Sequence, residues 1–481
     1  MPSLGRAFTF LWSSTALSNV ADGVLKVGAP LLAVSMTRSP TQVSLVGAAV
    51  TLPWLLCALH AGAIADRTDR RRIMVLANAA RAGVLVLGGA LALSGMLNLW
   101  AMLAVLLVSG VSEVFADTSA QSVLPMTVPS DRLTAANGRV VSAQMIGNEF
   151  LGSPLAGFLV ALLPVAVLGA PALLYGAAGV LLLGMRGDYS PRARTPESTG
   201  ESTGESSAES VGKGTGESAD KGVGESTDEG TDKSVGEGVG EGVGEGVGKS
   251  TDESAGKGVG EGAGGLGRDI REALRYLWAH RLLRTLAISA GMLNTASAAY
   301  FGVLVLWLVG PGSRVGLAPE GYGLMMSALA VGSVAGSLVA ERLTGMLGEG
   351  RTLLVAWLVS ALLYLVPVLV PVAWVLYPTA VLWGVAGGAA NVLVVSTRQR
   401  LIPSALLGRV NSAYRLVGMG GMPVGAALGG LLGEIAGLPV VFLGAAGVAL
   451  AAVGLVWRVA RGPISMPLTS DHSVRRTSAS V

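Results

Sequence analysis

The chain has 481 residues, of which 51% are hydrophobic and only 14% are charged, and its mean hydropathy is +0.60. A soluble protein of this length carries about a quarter charged residues, so the composition indicates an integral membrane protein. The single cysteine, Cys57, excludes an intrachain disulfide, and the three histidines show no metal-ligand spacing. The sequence also lacks the phosphate-loop, zinc and nucleophile-elbow motifs of soluble enzymes, so we expect no enzymatic activity, cofactor or bound metal.

The net charge of +3 is unevenly distributed along the chain. Residues 197–261 contain 16 acidic residues and five lysines, a net charge of −11, so the rest of the chain carries +14. Almost all of this positive charge is arginine near the ends of apolar segments, which is typical of membrane topology. We therefore expect the chain to partner a lipid bilayer and to bind no nucleic acid.

Twelve apolar segments are long enough to cross a bilayer, which takes about 20 helical residues. We predict all-α transmembrane helices over 7–36, 41–64, 73–94, 100–118, 138–163, 170–185, 286–309, 322–340, 352–370, 372–396, 411–432 and 438–459. The first segment is long for a cleaved signal peptide and contains Asn19, Asp22 and Lys26, so we interpret it as a span.

Between the sixth and seventh spans lies a low-complexity segment of Gly, Ser, Thr, Glu and Lys, with repeats such as Val-Gly-Glu-Gly. This composition buries too little apolar surface to offset the entropy lost on ordering, so we predict a disordered cytoplasmic linker. The predicted domains are an N-terminal six-helix bundle over 1–189, the linker over 190–267, a C-terminal six-helix bundle over 268–461 and a flexible tail over 462–481.

Loop arginines predict the orientation, because short cytoplasmic loops are enriched in Lys and Arg. With both termini inside, the outward loops contain only Arg38 and Arg314. The inward positions contain, among others, Arg6, Arg67, Arg70, Arg71, Arg72, Arg132, Arg139, Arg342, Arg351, Arg398, Arg400, Arg409, Arg458 and Arg461. We expect a multi-pass plasma-membrane protein with both termini cytoplasmic.

An internal repeat relates the two bundles. Residues 138–143 (Gly-Arg-Val-Val-Ser-Ala) and 408–413 (Gly-Arg-Val-Asn-Ser-Ala) lie at the starts of the fifth and eleventh spans. A Pro-Ser pair precedes each copy, and a proline, Pro154 or Pro423, follows in a glycine-rich stretch. Two repeated halves are typical of secondary transporters, whose substrate site lies between the halves near the midplane.

The loop between the second and third spans packs four arginines and two aspartates into residues 66–72. Five residues here resemble the Gly-x-x-x-Asp-Arg-x-Gly-Arg-Arg signature of the major facilitator superfamily: Gly62, Asp66, Arg67, Arg70 and Arg71. Asp69 stands where the signature has its second glycine. The alternative is an ordinary arginine-rich loop that ends a helix.

The resemblance implies a gating role for these residues. In the superfamily the signature aspartate contacts the start of the eleventh helix, so Asp66 would lie against the segment near Gly408. Backbone N–H groups at a helix start favour such a negative charge. Its arginine meets an acid that ends the fourth helix, so Arg70 would pair with Asp117. Both contacts would hold the outward-facing state and break in the inward-facing one.

Within the superfamily, residues 66–72, 117–125 and 408–410 are most similar to the drug-efflux branch that includes macrolide and enterobactin exporters. Gly147, Gly152, Pro154 and Gly157 resemble the antiporter signature, although Ser153 separates the second glycine from the proline. The resemblance implies proton-coupled efflux of small amphipathic molecules, such as a drug, an antibiotic or a siderophore-like compound; we expect a monomer. An importer of a small solute and a non-transporting membrane scaffold are the alternatives.

Ionisable residues inside the spans are candidates for proton coupling, because charges at depth are costly and usually face a cavity or a partner. Asp22 and Lys26 lie one helical turn apart, either as a proton-titrating acid tuned by a cation or as a static ion pair. Glu149 and Glu113 are the next candidates. Arg81 can pair with Glu113 or with Asp117.

Polar and aromatic residues of the spans are candidates for contact with substrate. We expect the polar wall of the cavity to include Asn19, Gln144, Asn148, Asn294, Asn391 and Arg415. Trp54, Tyr300 and Trp383 can contact an apolar substrate, although such aromatic residues more often lie at the lipid interface or in helix packing.

Overall fold

The computed structural model describes residues 5–65, 67–187, 189–190, 271, 274–402 and 404–461. These residues form twelve long helices: α1 (Arg6–Met36), α2 (Pro40–Ala65), α3 (Arg70–Leu93), α4 (Leu99–Thr127), α5 (Leu133–Leu162), α6 (Ala166–Leu183), α7 (Arg281–Leu308), α8 (Pro319–Leu347), α9 (Glu349–Leu369), α10 (Ala373–Leu401), α11 (Ser404–Ala436) and α12 (Leu438–Arg461). The predicted tail lies outside the described residues, as does the predicted linker apart from Ser190.

Each of these twelve helices is long and apolar enough to cross a membrane. The predicted fold class, an all-α integral membrane protein with twelve spans, is confirmed. The largest difference from the predicted bounds is in α4, which continues through Pro125 to Thr127 instead of ending near Thr118. Proline removes one backbone hydrogen bond, but Val123 and Leu124 in this last part of α4 are buried in an apolar cluster that holds the helix in place.

Helix packing repeats between the first six helices and the last six. In the first half, α1 packs against α5 and α6, α2 against α4, and α3 against α4 and α6. In the second half, α7 packs against α11 and α12, α8 against α10, and α9 against α10 and α12. The same helix positions pair in each half, which agrees with the repeat seen in the sequence. The halves meet chiefly through α2 against α11 and α5 against α8.

Four glycines set the close packing of α8 against α10. A side chain at Gly332 or Gly336 would meet the backbone of α10, and one at Gly384 or Gly388 would meet the backbone of α8. Small residues at this spacing let two helix backbones approach closely in a membrane, where dispersion contacts hold helices together.

Replacing Gly336 with valine is expected to lower stability by about 1–3 kcal/mol, the usual cost of overpacking a tight contact. The carbonyl oxygen of Val385 already occupies the space that the new side chain needs. Gly345 lies on the same helix with open space around it, so Gly345→Val is the matched control. Thermal unfolding of the purified variants measures the difference, and equal melting temperatures would contradict the packing argument.

The two ends of the helix bundle differ in how the halves meet. We call the end with the Arg67–Arg72 loop the charged end and the other the far end. At the far end, Ser39 Oγ donates to Glu434 Oε2 at 2.5 Å and Thr41 Oγ1 donates to the Gly430 carbonyl at 3.2 Å. Arg38 also crosses between the halves there and donates to the carbonyls of Val309 and Pro311. The far end is therefore closed by direct contacts between the halves.

Candidate transport site

A central cavity of about 660 Å³ separates the two halves at mid-depth. Its walls come from α1 and α5 of the first half and from α7 to α11 of the second. Four of the predicted substrate contacts lie in the wall: Gln144, Asn148, Asn294 and Asn391. Their role stays a prediction. A volume of this size falls within the range of small-molecule sites, about 300–1,000 Å³.

The other two predicted substrate contacts lie elsewhere. Asn19 lies in the wall of a second, smaller cavity, and its Oδ1 accepts a hydrogen bond from Asn148 Nδ2 at 2.9 Å. Arg415 is exposed, and its Nη2 contacts the sulfur of Met419 one turn further along α11. The structure therefore does not place Arg415 in the cavity wall. The rotation of α11 about its own axis decides which way Arg415 faces, and hydropathy along the sequence does not encode that rotation.

The second cavity has a volume of about 150 Å³ and lies inside the first half, between α1, α2, α4 and α5. Three carboxylates line it: Asp22 from α1, and Glu113 and Asp117 from α4. We call it the acidic cavity. Lys26 and Asn148 line both this cavity and the central one, so the two spaces adjoin at these side chains.

Arg81 on α3 is the cation that faces these carboxylates, and its side chain is only 1% exposed. Its Nη2 donates to Asp22 Oδ1, and to Glu113 Oε2 at 3.3 Å. Tyr175 on α6 completes the network, with the guanidinium 3.8 Å from its ring centre and its hydroxyl donating to Asp22 at 2.6 Å. Of the two acids that the sequence leaves open as partners of Arg81, Glu113 forms the ion pair.

The static ion pair of Asp22 with Lys26, one of the two interpretations that the sequence leaves open, does not form in the structure, because each residue binds a different helix. Asp22 turns toward Arg81, whereas Lys26 Nζ donates to Glu149 Oε1 on α5 at 2.5 Å. One helical turn places Asp22 and Lys26 on the same face of α1, but each has a partner of opposite charge on a neighbouring helix. Among the described residues, the Arg81 group and the Lys26–Glu149 pair are therefore separate ion-pair groups inside the first half.

Glu149 lies on a π-helical turn, Ile146–Gly152, inside α5. The turn packs closely on α1, because a side chain at Gly147 or Gly152 would meet the α1 backbone. Ser153 Oγ donates to the Asn148 carbonyl at 3.2 Å within the same region. π-turns are frequent at functional sites, and this one aims Asn148 and Glu149 at the cavities. Sequence reasoning missed it, although the glycine spacing before Pro154 was a signal.

The arginines of the charged loop bind the ends of neighbouring helices. Arg71 Nε and Nη2 donate to the carbonyls of Leu182 and Leu183 at 2.9 and 2.8 Å, which caps the end of α6. Asp69 accepts a hydrogen bond from the backbone of Arg71 at 3.0 Å and is the N-cap of α3. A capping aspartate is among the best residues for this position, which explains the departure from the signature glycine.

The predicted gate contacts have mixed outcomes. Asp66 lies outside the described residues, so its contact with α11 stays a prediction. Arg70 Nε donates to the Ala65 carbonyl and its Nη1 contacts the Met126 sulfur, while Asp117 lies in the acidic cavity. The resemblance assigns the Arg70–Asp117 contact to the outward-facing state, and for that state it stays a prediction. Gly62 lies in the last turn of α2, and Arg67 follows in the loop, where its backbone N–H donates to the Ile64 carbonyl.

Aromatic side chains of the second half form part of the wall of the central cavity. Tyr364 and Trp383 lie in its wall, with ring centres 5.5 Å apart. Tyr300 and Phe301 pack behind them, around a small space of about 30 Å³. Trp383 Nε1 is buried and has no hydrogen-bond partner among the described residues. The third predicted aromatic contact, Trp54, lies beside Glu113 of the acidic cavity instead.

A family model and two curated proteins named as exporters are similar to this chain. It matches a family model described as transmembrane secretion effector over residues 2–202 and 262–473. It is 27% identical over 173 residues to macrolide efflux protein A of Streptococcus pyogenes, which covers 34% of this chain and 42% of that protein. The enterobactin exporter EntS of Citrobacter koseri is 28% identical over 201 residues, 41% of this chain and 46% of that protein.

A third curated relative is named as a permease. Maltose permease of Geobacillus stearothermophilus is 32% identical over 161 residues, 33% of this chain and 39% of that protein. The chain thus spans less than half the length of each of these curated relatives.

A bacterial homologue of ferroportin in its inward-facing state has a TM-score of 0.65 at 15% identity, covering 95% of this chain and 99% of that one. The nucleoside transporter NupG has a TM-score of 0.62 at 11% identity, covering 95% and 99%. The family model covers both halves, and the twelve-helix fold and the central cavity agree with it. This chain belongs to the transmembrane secretion effector family, whose members are major facilitator superfamily transporters and not enzymes.

Proposed function

We propose that this protein exports small amphipathic molecules from the cell in exchange for protons, by alternating access. The observation that carries the proposal is the central cavity, whose wall combines charged and polar groups, such as Lys26 and Glu149, with the aromatic side chains of the second half. A site with both kinds of wall suits molecules that have an apolar body and a polar group. We further propose that it acts as a monomer in the plasma membrane, with the four domains given by the sequence.

The orientation follows from the loop arginines. We assign the charged end to the cytoplasm, because the bias of arginine toward cytoplasmic loops is strong. The far end is then external and closed, so the described conformation is inward-facing. Alternating access requires the far-end contacts of Arg38, Ser39 and Thr41 to break while the charged end closes. Asp66, Arg70 and Asp117 are proposed to hold that second state.

The acidic cavity supports proton coupling. Two of its three carboxylates, Asp22 and Glu113, share the buried guanidinium of Arg81. Lys26, which also lines this cavity, pairs with Glu149, so the three acids outnumber the one cation bound to them. Burial disfavours an unpaired ionised carboxylate, and a cluster of this composition binds and releases protons as its surroundings change. Asp22 is the proposed centre of proton exchange, since its contacts with Arg81 and Tyr175 join it to the rest of the cluster and it lies one turn of α1 before Lys26.

Accumulation of labelled amphipathic compounds in cells tests the function. We expect cells that make this protein to accumulate less of at least one compound from a panel of neutral, cationic and anionic probes than cells without it. An uncoupler that collapses the proton gradient is expected to abolish the difference. Equal accumulation for the whole panel, with and without the protein, would contradict export.

A small-solute importer is the second candidate, favoured by the similarity to a protein named maltose permease. It predicts the opposite sign in the same experiment. Cells that make the protein would accumulate more of the transported compound, and an uncoupler would lower that accumulation.

A further inference from the structure

Lys26 occupies a position in the central cavity that a cationic ligand would suit. Its ammonium group lies 2.5 Å from Glu149 Oε1, with the two side chains 59% and 29% exposed. Glu149 is the only carboxylate among the described residues of this cavity wall. An exposed ion pair contributes little to stability, typically about 0–1 kcal/mol, so another cation of suitable shape can displace the lysine.

The wall contributed by the second half also suits a cation with an apolar body. The rings of Tyr364 and Trp383 line the same cavity as Glu149, and aromatic faces attract cations, most strongly where water is excluded. The other cation of the wall, Arg398, lies 15 residues beyond Trp383 on α10, which is about 22 Å along a helix. Arg398 is stacked on Tyr414 and donates to Asn411, and these contacts hold its guanidinium against α11.

Lys26 also adjoins the acidic cavity. Its side chain lines both cavities, and it follows Asp22 by one turn of α1. Among the described residues, the titratable and charged groups of the first half that face this region are Asp22, Lys26, Arg81, Glu113, Asp117, Glu149 and Tyr175, and those of the second half in the central cavity wall are Tyr364, Arg398 and Tyr414. A lysine side chain is long and flexible, so rotation about its own bonds can carry the ammonium group from one cavity to the other.

Resting on the export function proposed above, we infer that Lys26 is a tethered cation that competes with the substrate for Glu149, and that the substrates are amphipathic cations. When a substrate cation pairs with Glu149, the ammonium group of Lys26 moves into the acidic cavity. A second cation there favours the ionised carboxylates, so a proton held by the cluster leaves for the cytoplasmic water.

The same exchange runs in reverse from the outward-facing state. A proton from outside binds a carboxylate of the cluster, which releases Lys26 to return to Glu149, and the returning ammonium displaces the substrate outward. One monovalent cation leaves the cell and one proton enters for each cycle, so charge balances and the exchange is electroneutral. No covalent bond forms or breaks other than the O–H bond of the carboxylic acid.

Binding of tetraphenylphosphonium to the purified full-length protein tests this inference. We expect the wild type to release protons as it binds the probe at about pH 7.5. An ordinary carboxyl group, with a pKa of about 4, holds almost no proton at that pH, so the released protons would come from the acidic cavity. Lys26→Met is expected to bind the probe on the order of tenfold more tightly, because its internal competitor is gone, and to release far fewer protons. Calorimetry gives the affinity, and a pH indicator in weakly buffered solution gives the proton count.

Two further variants sharpen the result. Glu149→Gln is expected to lose binding of the probe, while Arg314→Met, which removes an exposed cation at the far end, should match the wild type. Proton release that persists unchanged in Lys26→Met, or affinity that does not rise there, would overturn the tethered-cation role. Export of neutral or anionic compounds by a wild type that binds no tetraphenylphosphonium would overturn it too, and would leave the export function standing.

Discussion

Replacing Arg81 with leucine is expected to destabilise the first half more than any other single substitution considered for this protein. The buried guanidinium donates hydrogen bonds to Asp22, Glu113 and Tyr175. Removing one partner of a buried ion pair costs about 3–5 kcal/mol, because the remaining charge is left without compensation, and here two carboxylates lose their cation. We expect a much lower yield of monodisperse protein in detergent and a large fall in melting temperature.

Two comparisons separate this effect from a general loss of positive charge. Arg72 is 80% exposed, so Arg72→Leu is the matched control and is expected to change the melting temperature little. Adding Asp22→Asn to Arg81→Leu should recover part of the lost stability, since one stranded carboxylate becomes neutral. A melting temperature for Arg81→Leu equal to that of the wild type would show that the carboxylates do not depend on this arginine.

Asp22→Asn is expected to abolish export while the protein stays folded. The asparagine keeps an oxygen that accepts hydrogen bonds from Arg81 and from Tyr175, so the network loses a charge but not its geometry. An amide cannot bind and release a proton near neutral pH, so the exchange proposed for the acidic cavity stops. Compound accumulation should rise to the level of cells without the protein, at matched expression.

The control for this prediction is an acid away from both cavities. Asp131 is 73% exposed between α4 and α5, and Asp131→Asn should leave accumulation as in the wild type. Accumulation in Asp22→Asn cells equal to that in wild-type cells would remove Asp22 from the mechanism. Glu113 and Asp117, the other carboxylates of the acidic cavity, would then be the groups to replace next.

The charges of α1 illustrate what sequence reasoning can and cannot reach. Asp22 and Lys26 were identified as intramembrane charges from their position in an apolar run, because hydropathy is read along the chain. One turn of helix separates them and allows them to pair with each other, but the structure pairs them with Arg81 and Glu149 from other helices. A helix places its side chains around an axis, and only the packed neighbours decide which pairs form.

The backbone conformation at two places also could not be predicted from the sequence pattern. The π-turn that holds Glu149 depends on close contact of Gly147 and Gly152 with α1. Asp69, read as a departure from a signature, proved to be the N-cap of α3. In both cases the residue type was informative, but the structural role of the residue depends on a contact that cannot be read from the sequence.

By itself, the sequence determined the twelve spans, the repeat of six helices and the crowding of arginine at one end. The physical reason is that a bilayer demands about 20 apolar residues per span and penalises each charge wherever it lies in the chain. These demands act locally and can be read one segment at a time. Tertiary structure alone decided that Lys26 binds Glu149, that Arg81 serves two carboxylates and that Arg415 lies outside the cavity wall. The rotation of each helix about its axis is fixed by packing against its neighbours, above all at glycines where backbones touch.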